Sequence, residues 1–183
     1  MGGTAANIII EKPQGVYFAA VAVALPTITG TLGSAITMTG WTDLGFVDPA
    51  AKIKISFSGN AVKVRPMGME GDLKAIVTAK KAVIEFMGLE EDIDNYAIAL
   101  GGGGAVASNE MPDGGDIECV YKTLAIVTTK VVYHFKKVAA VNDLVKEISD
   151  DAPAMPSFKL ETFVEEAATA GERQWVICER TGA

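Results

Sequence analysis

Apolar and polar residues alternate most clearly in "AKIKISFSGNAVKVRPM". Ile53, Ile55 and Phe57 alternate with Lys52, Lys54, Ser56 and Ser58, and Val62 and Val64 alternate with Lys63 and Arg65. A period of two is that of a half-buried strand. Gly59-Asn60 lies between the two runs and predicts a two-residue hairpin loop. That loop sets Phe57 opposite Val62, Ile55 opposite Val64, and Lys54 opposite Arg65.

The same reading extends along the chain. "IIIEKPQGVYFAAVAVALP" holds two short apolar runs, which Lys12-Pro13-Gln14-Gly15 splits with a predicted turn. "TITGTLGSAITMTG" spaces Gly30, Gly33 and Gly40 among Thr and Ser, and predicts an extended arm over 24–40 that can lie across a neighbour. "DLKAIVTAKKAVIEFMG" fits a helix capped by Asp72 and a strand through Ala82, Ile84 and Phe86 equally well. "LEEDIDNYAIALGGGG" predicts one short helix, with acids in its first turn and Gly101 past its end. Residues 101–116 are Gly-rich and read as a flexible insertion loop. "IECVYKTLAIVTTKVVYHFKKV" predicts two strands joined near Thr128-Thr129. "VNDLVKEISDD" stays open between strand and helix. "APAMPS" is a connector, and "FKLETFVEE" and "RQWVICER" read as closing strands linked by "ATAGE". With no repeat and no second domain, the expectation is one mainly β domain over 1–183 with one short α-helix.

Composition shifts this picture toward self-association. Of the 183 residues 49% are hydrophobic and 21% charged, and mean hydropathy is +0.27. That is apolar for a soluble monomer and predicts burial against other copies. The longest apolar run, "VYFAAVAVAL", is too short to cross a bilayer and ends at Pro26. The first eleven residues hold no Lys or Arg, so no signal peptide is expected and the chain is expected to stay in the cytoplasm where it is made. The net charge of −7 opposes nucleic-acid binding by phosphate neutralisation. Against that background Lys52, Lys54, Lys63 and Arg65 form a predicted hairpin face with no acid. It is either a solvated face or one that meets an acidic surface of another subunit.

Recognisable chemistry is absent. Gly102, Gly104 and Ala107 satisfy G-x-G-x-x-A, but they follow a helix pattern rather than a strand, and "SNEMPDGG" cannot open a helix. The single histidine, His134, alternates with Val132 and Lys136 as a strand residue. With one histidine and the distant Cys119 and Cys178, a closed zinc site is not expected, and both cysteines read as reduced core residues. Glu90, Glu91, Asp92 and Asp94 lack the spacing of a calcium loop. Trp41 and Trp175 read as packed aromatics rather than sugar platforms. No catalytic, cofactor-binding or metal-binding residue is expected, and no enzyme.

"GWTDLGFVD" followed by a short alternating strand resembles a recurrent segment of the major tail tube proteins of tailed bacteriophages. "VIEFMGLEEDIDNYAIALGG" resembles the family's strand and short helix. "FKKVAAVNDLVKEISDDAPAMPSFKLETFVEE" resembles its closing strands. The similarity runs in order over most of Val16 to Arg180, and the 101–116 loop has no counterpart in it. The resemblance implies a β-sandwich or barrel-like domain with one helix, whose inner sheets join into a ring-shaped barrel in a hexamer. It implies stacked rings forming a virion tail tube for DNA ejection, assembled in the host cytoplasm. DNA would transit the lumen without specific binding, and no membrane would be engaged. The implied partners are further copies of the chain, a tape measure protein, and baseplate or tail terminator proteins. It also favours strand over helix for Lys81 to Gly88. Six acidic copies would present a lumen from which DNA does not stick. On this reading Lys52, Lys54, Lys63 and Arg65 meet Glu90, Glu91 and Asp92 of a neighbour. Gly40 frees a turn, Trp41 and Leu44 anchor the arm to the domain, and Gly45 lets the next strand begin.

The related type VI secretion tube is the near alternative. A binding or virion-decoration module, using Trp41 or Trp175 for a sugar, is the alternative from another class.

Overall fold

The computed structural model describes residues 13–25, 36–45, 52–64, 74–88, 98, 120–141, 157–166 and 174–179. Among the described residues there are eight strands, β1 (Pro13–Ala20), β2 (Thr42–Asp43), β3 (Lys54–Val64), β4 (Lys74–Met87), β5 (Lys122–Thr128), β6 (Val131–Ala140), β7 (Ser157–Thr162) and β8 (Trp175–Glu179). They form one antiparallel sheet in the order β2-β1-β5-β6-β7-β4-β3, with β8 paired to β6. The chain is thus mainly β. The helix expected over residues 89–100 lies outside the described residues except for Ile98, which is helical. The 101–116 loop lies wholly outside them.

Gly59-Asn60 is not a hairpin loop. β3 runs straight through it and pairs with β4, Lys54 opposite Glu85 and Val64 opposite Lys74. Between the pairs Ser58–Lys81 and Asn60–Thr78, β3 has only Gly59 where β4 has Ala79 and Lys80. The glycine marks a bulge, the other feature for which a strand uses glycine. "KAIVTAKKAVIEFM" is a strand throughout, which settles the open choice between helix and strand.

The turn expected at Lys12–Gly15 is also replaced by strand from Pro13 onward, Lys12 lying outside the described residues. Pro13 takes the first position of β1, where a missing N–H is tolerated. The register slips between Pro13 and Gly15. A Cβ on Gly15 would lie 2.7 Å from the Tyr17 ring, so the ring lies over the bare glycine. The β5–β6 hairpin forms as expected. The Thr128 hydroxyl donates to Val131 O at 2.7 Å and accepts the Val131 N–H at 3.0 Å, which closes the Thr129-Lys130 turn. β7 and β8 also form where expected, and they share one edge of β6: β8 opposes Val131–Phe135 and β7 opposes Val138–Ala140.

Alternation along the strands builds two apolar faces. The larger buries Val16, Phe18, Leu124, Ile126, Phe135, Val138, Ala82, Ile84, Phe86, Phe158 and Leu160, with Phe86 and Phe158 stacked at 4.8 Å. The other buries Ala19, Ala125, Val127 and Val132, with Met38 and Trp41 laid over them. A sheet buried on both faces around β1, β5 and β6 explains the near-continuous apolar run "TLAIVT", in which every side chain of Thr123–Thr128 is buried.

Candidate assembly site

The 36–45 segment wraps the β1 edge of the sheet. Trp41 packs on the smaller apolar face and Leu44 on the larger one, at 9% and 3% exposure. Between them β2 pairs Thr42 with Phe18 and Asp43 with Tyr17, and the Leu44 N–H donates to Val16 O at 2.9 Å. Gly40 and Gly45 bracket this stretch with φ of +80° and +87°, values that side chains disfavour. An Asp43 carboxylate oxygen accepts the Gly45 N–H at 3.0 Å and fixes the exit. The short strand therefore lies between the two glycines rather than after Gly45, and it covers part of an otherwise unpaired edge.

Trp41 also closes the arm on itself. Its indole N–H donates to Ala24 O at 3.4 Å, and its backbone N–H to Met38 O at 3.1 Å. Val23, just before the 24–40 segment, and Leu25 and Ile36 within it pack into the same cluster. Residues 26–35 lie outside the described part. Ala22, where β1 turns into this segment, has φ +74°, an uncommon conformation for a residue with a side chain.

Beneath Trp41 lies His134, 3% exposed, with the two rings in an edge-to-face arrangement at 5.6 Å. Its Nε2 is 3.0 Å from Thr123 Oγ1, and the Thr123 hydroxyl donates to Phe135 O at 2.9 Å. One hydroxyl proton serves one acceptor, so Nε2 carries hydrogen and donates to Thr123. Burial, aided by the Lys136 charge, lowers the imidazole pKa to about 4, so the ring is neutral near pH 7. Among the described residues, no group of three His, Cys, Asp or Glu could hold a metal ion.

The predicted basic face is corrected by the change in strand partner. Lys54 opposes Glu85 rather than Arg65 and meets its carboxylate at 2.8 Å. Lys159 on β7 approaches the other Glu85 oxygen at 3.9 Å, and Lys81 pairs with Glu161 at 3.2 Å. Glu85 sits between the two lysines, and the Lys54 hydrogen bond holds its carboxyl below the usual range. The outer face of β3, β4 and β7 is thus a ladder of alternating charge. Lys52 is exposed just before β3. Lys63 opposes Ala75 by backbone register. Arg65, Glu90, Glu91 and Asp92 lie outside the described residues. Sequence reasoning missed Glu85 and Glu161 because it paired β3 with itself. The alternation of Lys81, Val83 and Glu85 in "KKAVIEF" was the available signal.

Where β8 meets β6, Trp175 packs on the larger core and touches Phe57 at 5.1 Å between ring centroids. Phe57 and Ile177 remain 48% and 51% exposed. Cys178 is a free, half-buried thiol on β8, and Cys119 lies outside the described residues. Among the described residues no helix is long and apolar enough to cross a membrane.

The described residues define a mainly β protein whose one sheet has an edge wrapped by a clasped arm. No protein-family model matches the chain, and no curated protein matches it in sequence.

Proposed function

We propose that this chain is a structural, non-enzymatic subunit of a bacteriophage tail tube. Copies form hexameric rings through a sandwich or barrel-like β domain, and stacked rings make a conduit for DNA ejection in the virion. The observation that carries the reading is the clasped arm. Trp41 ties the two ends of a glycine-rich segment to the sheet edge, which suits a segment that engages a neighbouring copy. Exposed Phe57 and Ile177 add apolar surface of the kind buried between subunits. The acidic net charge suits a lumen that does not retain DNA. Tape measure, baseplate and terminator proteins are the partners this role implies. Negative-stain electron microscopy of purified protein tests it: rings or tubes with a central hole are expected, and uniform small particles at every concentration would rule it out.

The exposed Phe57 ring, in contact with the partly buried Trp175, favours a second reading, a module that stacks a sugar ring on aromatic surface. Trp41, being buried, cannot serve there. Saturable glycan binding lost in Phe57→Ala, by a protein that never forms rings, would decide for this second reading.

A further inference from the structure

We propose that His134 is an acid-sensitive latch that holds Trp41 against the sheet. Protonation of its ring releases Trp41 from the sheet and opens the Trp41–Ala24 clasp, while the β5–β6–β8 ladder stays paired.

The geometry decides which part yields. His134 is locked by its backbone, opposite Ala125 on β5 and Val176 on β8, in the middle of two antiparallel ladders. Its neutral ring is satisfied through Nε2 and Thr123. A second ring proton, on Nδ1, makes the ring an imidazolium. The surrounding groups do not compensate the new charge. On its own strand Lys136 repels it. On β5 the residues of this face, Thr123, Ala125 and Val127, carry no charge. On β8 the neighbours are Val176 and the Cys178 thiol, and on β1 the Tyr17 phenol, which burial and Asp43 keep protonated. On the arm side Met38 and Trp41 are uncharged. Asp43 on β2 is the acid that this edge carries among the described residues, and its side chain is exposed and already holds the Gly45 N–H.

A buried, uncompensated imidazolium requires water. The sheet cannot admit it without breaking ladder hydrogen bonds on both sides. The cover over His134 is held more weakly. Among the described residues it is held by the Trp41–Ala24 hydrogen bond, the Met38–Trp41 turn, the two-residue pairing of β2 and the Leu44–Val16 hydrogen bond beyond it. Lifting the indole exposes the ring and breaks the Trp41–Ala24 hydrogen bond.

Linkage sets the size of the effect. Closed, the ring titrates at about 4, against about 6.5 when solvated. That difference shifts the closed-to-open equilibrium by roughly 300-fold once both forms are protonated. The apparent midpoint of opening falls between the two values.

The test uses the full chain, in which His134 is the only histidine and Trp41 one of two tryptophans. The single imidazole proton resonance is followed from pH 7.5 to 3.5. Acrylamide quenching of Trp41 is followed in Trp175→Phe, and far-UV circular dichroism reports the sheet. The latch requires that the imidazole titration and the exposure of Trp41 share a midpoint between about 4 and 6.5, with the sheet signal unchanged. His134→Gln, which keeps a donor toward Thr123 but does not titrate, must lose the Trp41 step. The proposal is overturned if Trp41 becomes exposed only together with loss of the sheet. It is equally overturned if the imidazole titrates while Trp41 stays buried, a comparison that holds even where the glutamine variant fails to fold.

Discussion

The indole N–H of Trp41 donates to the carbonyl of Ala24 at 3.4 Å, so the two ends of the glycine-rich arm are joined at one point above the sheet. The bond is long, and the buried ring beneath it contributes more than the bond. Trp41→Ala is expected to cost about 3–5 kcal/mol, as a large-to-small change in a packed cluster does. Trp41→Phe keeps most of the apolar contact and is expected to cost much less, with about 1 kcal/mol attributable to the hydrogen bond. Urea denaturation measures both. Equal losses would remove the ring from the account. Ring or tube formation by Trp41→Ala at wild-type yield would separate the clasp from assembly.

Ala22 holds φ at +74° where β1 leaves the sheet and turns toward the arm. An L-residue with a Cβ is strained there by about 1 kcal/mol or somewhat more. Glycine relieves the strain and returns part of the gain as unfolded-state entropy. Ala22→Gly is therefore expected to leave stability unchanged or raise it by up to about 1 kcal/mol. A loss of stability in thermal melts would show that the Ala22 methyl does more than strain the turn.

Glu85 stands between Lys54 and Lys159, with carboxylate oxygens 2.8 Å and 3.9 Å from the two ammonium groups. Glu85→Lys places three like charges in a row across β3, β4 and β7. All are exposed, so the effect is modest and screened. The melting temperature of the variant is expected to fall below wild type at low salt and to recover most of the gap in molar salt. A gap that ignores salt would point to packing rather than charge.

Much of the sheet was legible because its residues state their own environment. "TLAIVT" and "FKLET" carry patterns that only buried or half-buried strands tolerate, and the Thr128 turn follows from local side-chain chemistry. Pairing was less legible. Gly59-Asn60 has the composition of a hairpin loop, and nothing within the segment reveals that β4, the next run along the chain, is the partner of its whole length. The error carried into the charges, since the face of β3 was judged without Glu85. Trp41 and Leu44 were legible as anchors from their place between glycines. That they clamp opposite faces of the sheet was not, because a strand of two residues has no period to read. The role of Thr123 depended on knowing that β5 and β6 set it beside His134, a matter of register.

Thr123 is buried at 1% exposure and bridges His134 Nε2 to Phe135 O through one oxygen. Thr123→Val keeps the shape and removes both contacts, leaving a buried N–H and a buried carbonyl lone pair without this partner. The expected cost is about 2–3 kcal/mol, above that of an ordinary surface change. Thr123→Ser, which keeps the hydroxyl, is expected to recover the larger part of it. A valine variant as stable as wild type would mean that water replaces the hydroxyl at this site.

His134 also gives global stability a defined pH dependence. Its pKa is about 4 in the folded chain and near 6.5 when solvated, so the unfolded state takes up the proton first as pH falls. The folded state is therefore favoured most above about 6.5. This contribution is lost between about 6.5 and 4, and amounts to at most about 3 kcal/mol. Carboxylates paired with lysine, such as Glu85, lose their contribution at lower pH, because their folded pKa is depressed below the ordinary carboxylate range. Urea midpoints for wild type and His134→Gln, compared at intervals from pH 7.5 to 4, separate the two. The wild-type curve is expected to fall toward acid more steeply than that of the variant, and the excess slope belongs to the one imidazole. Parallel curves would show that His134 reaches water in the folded chain.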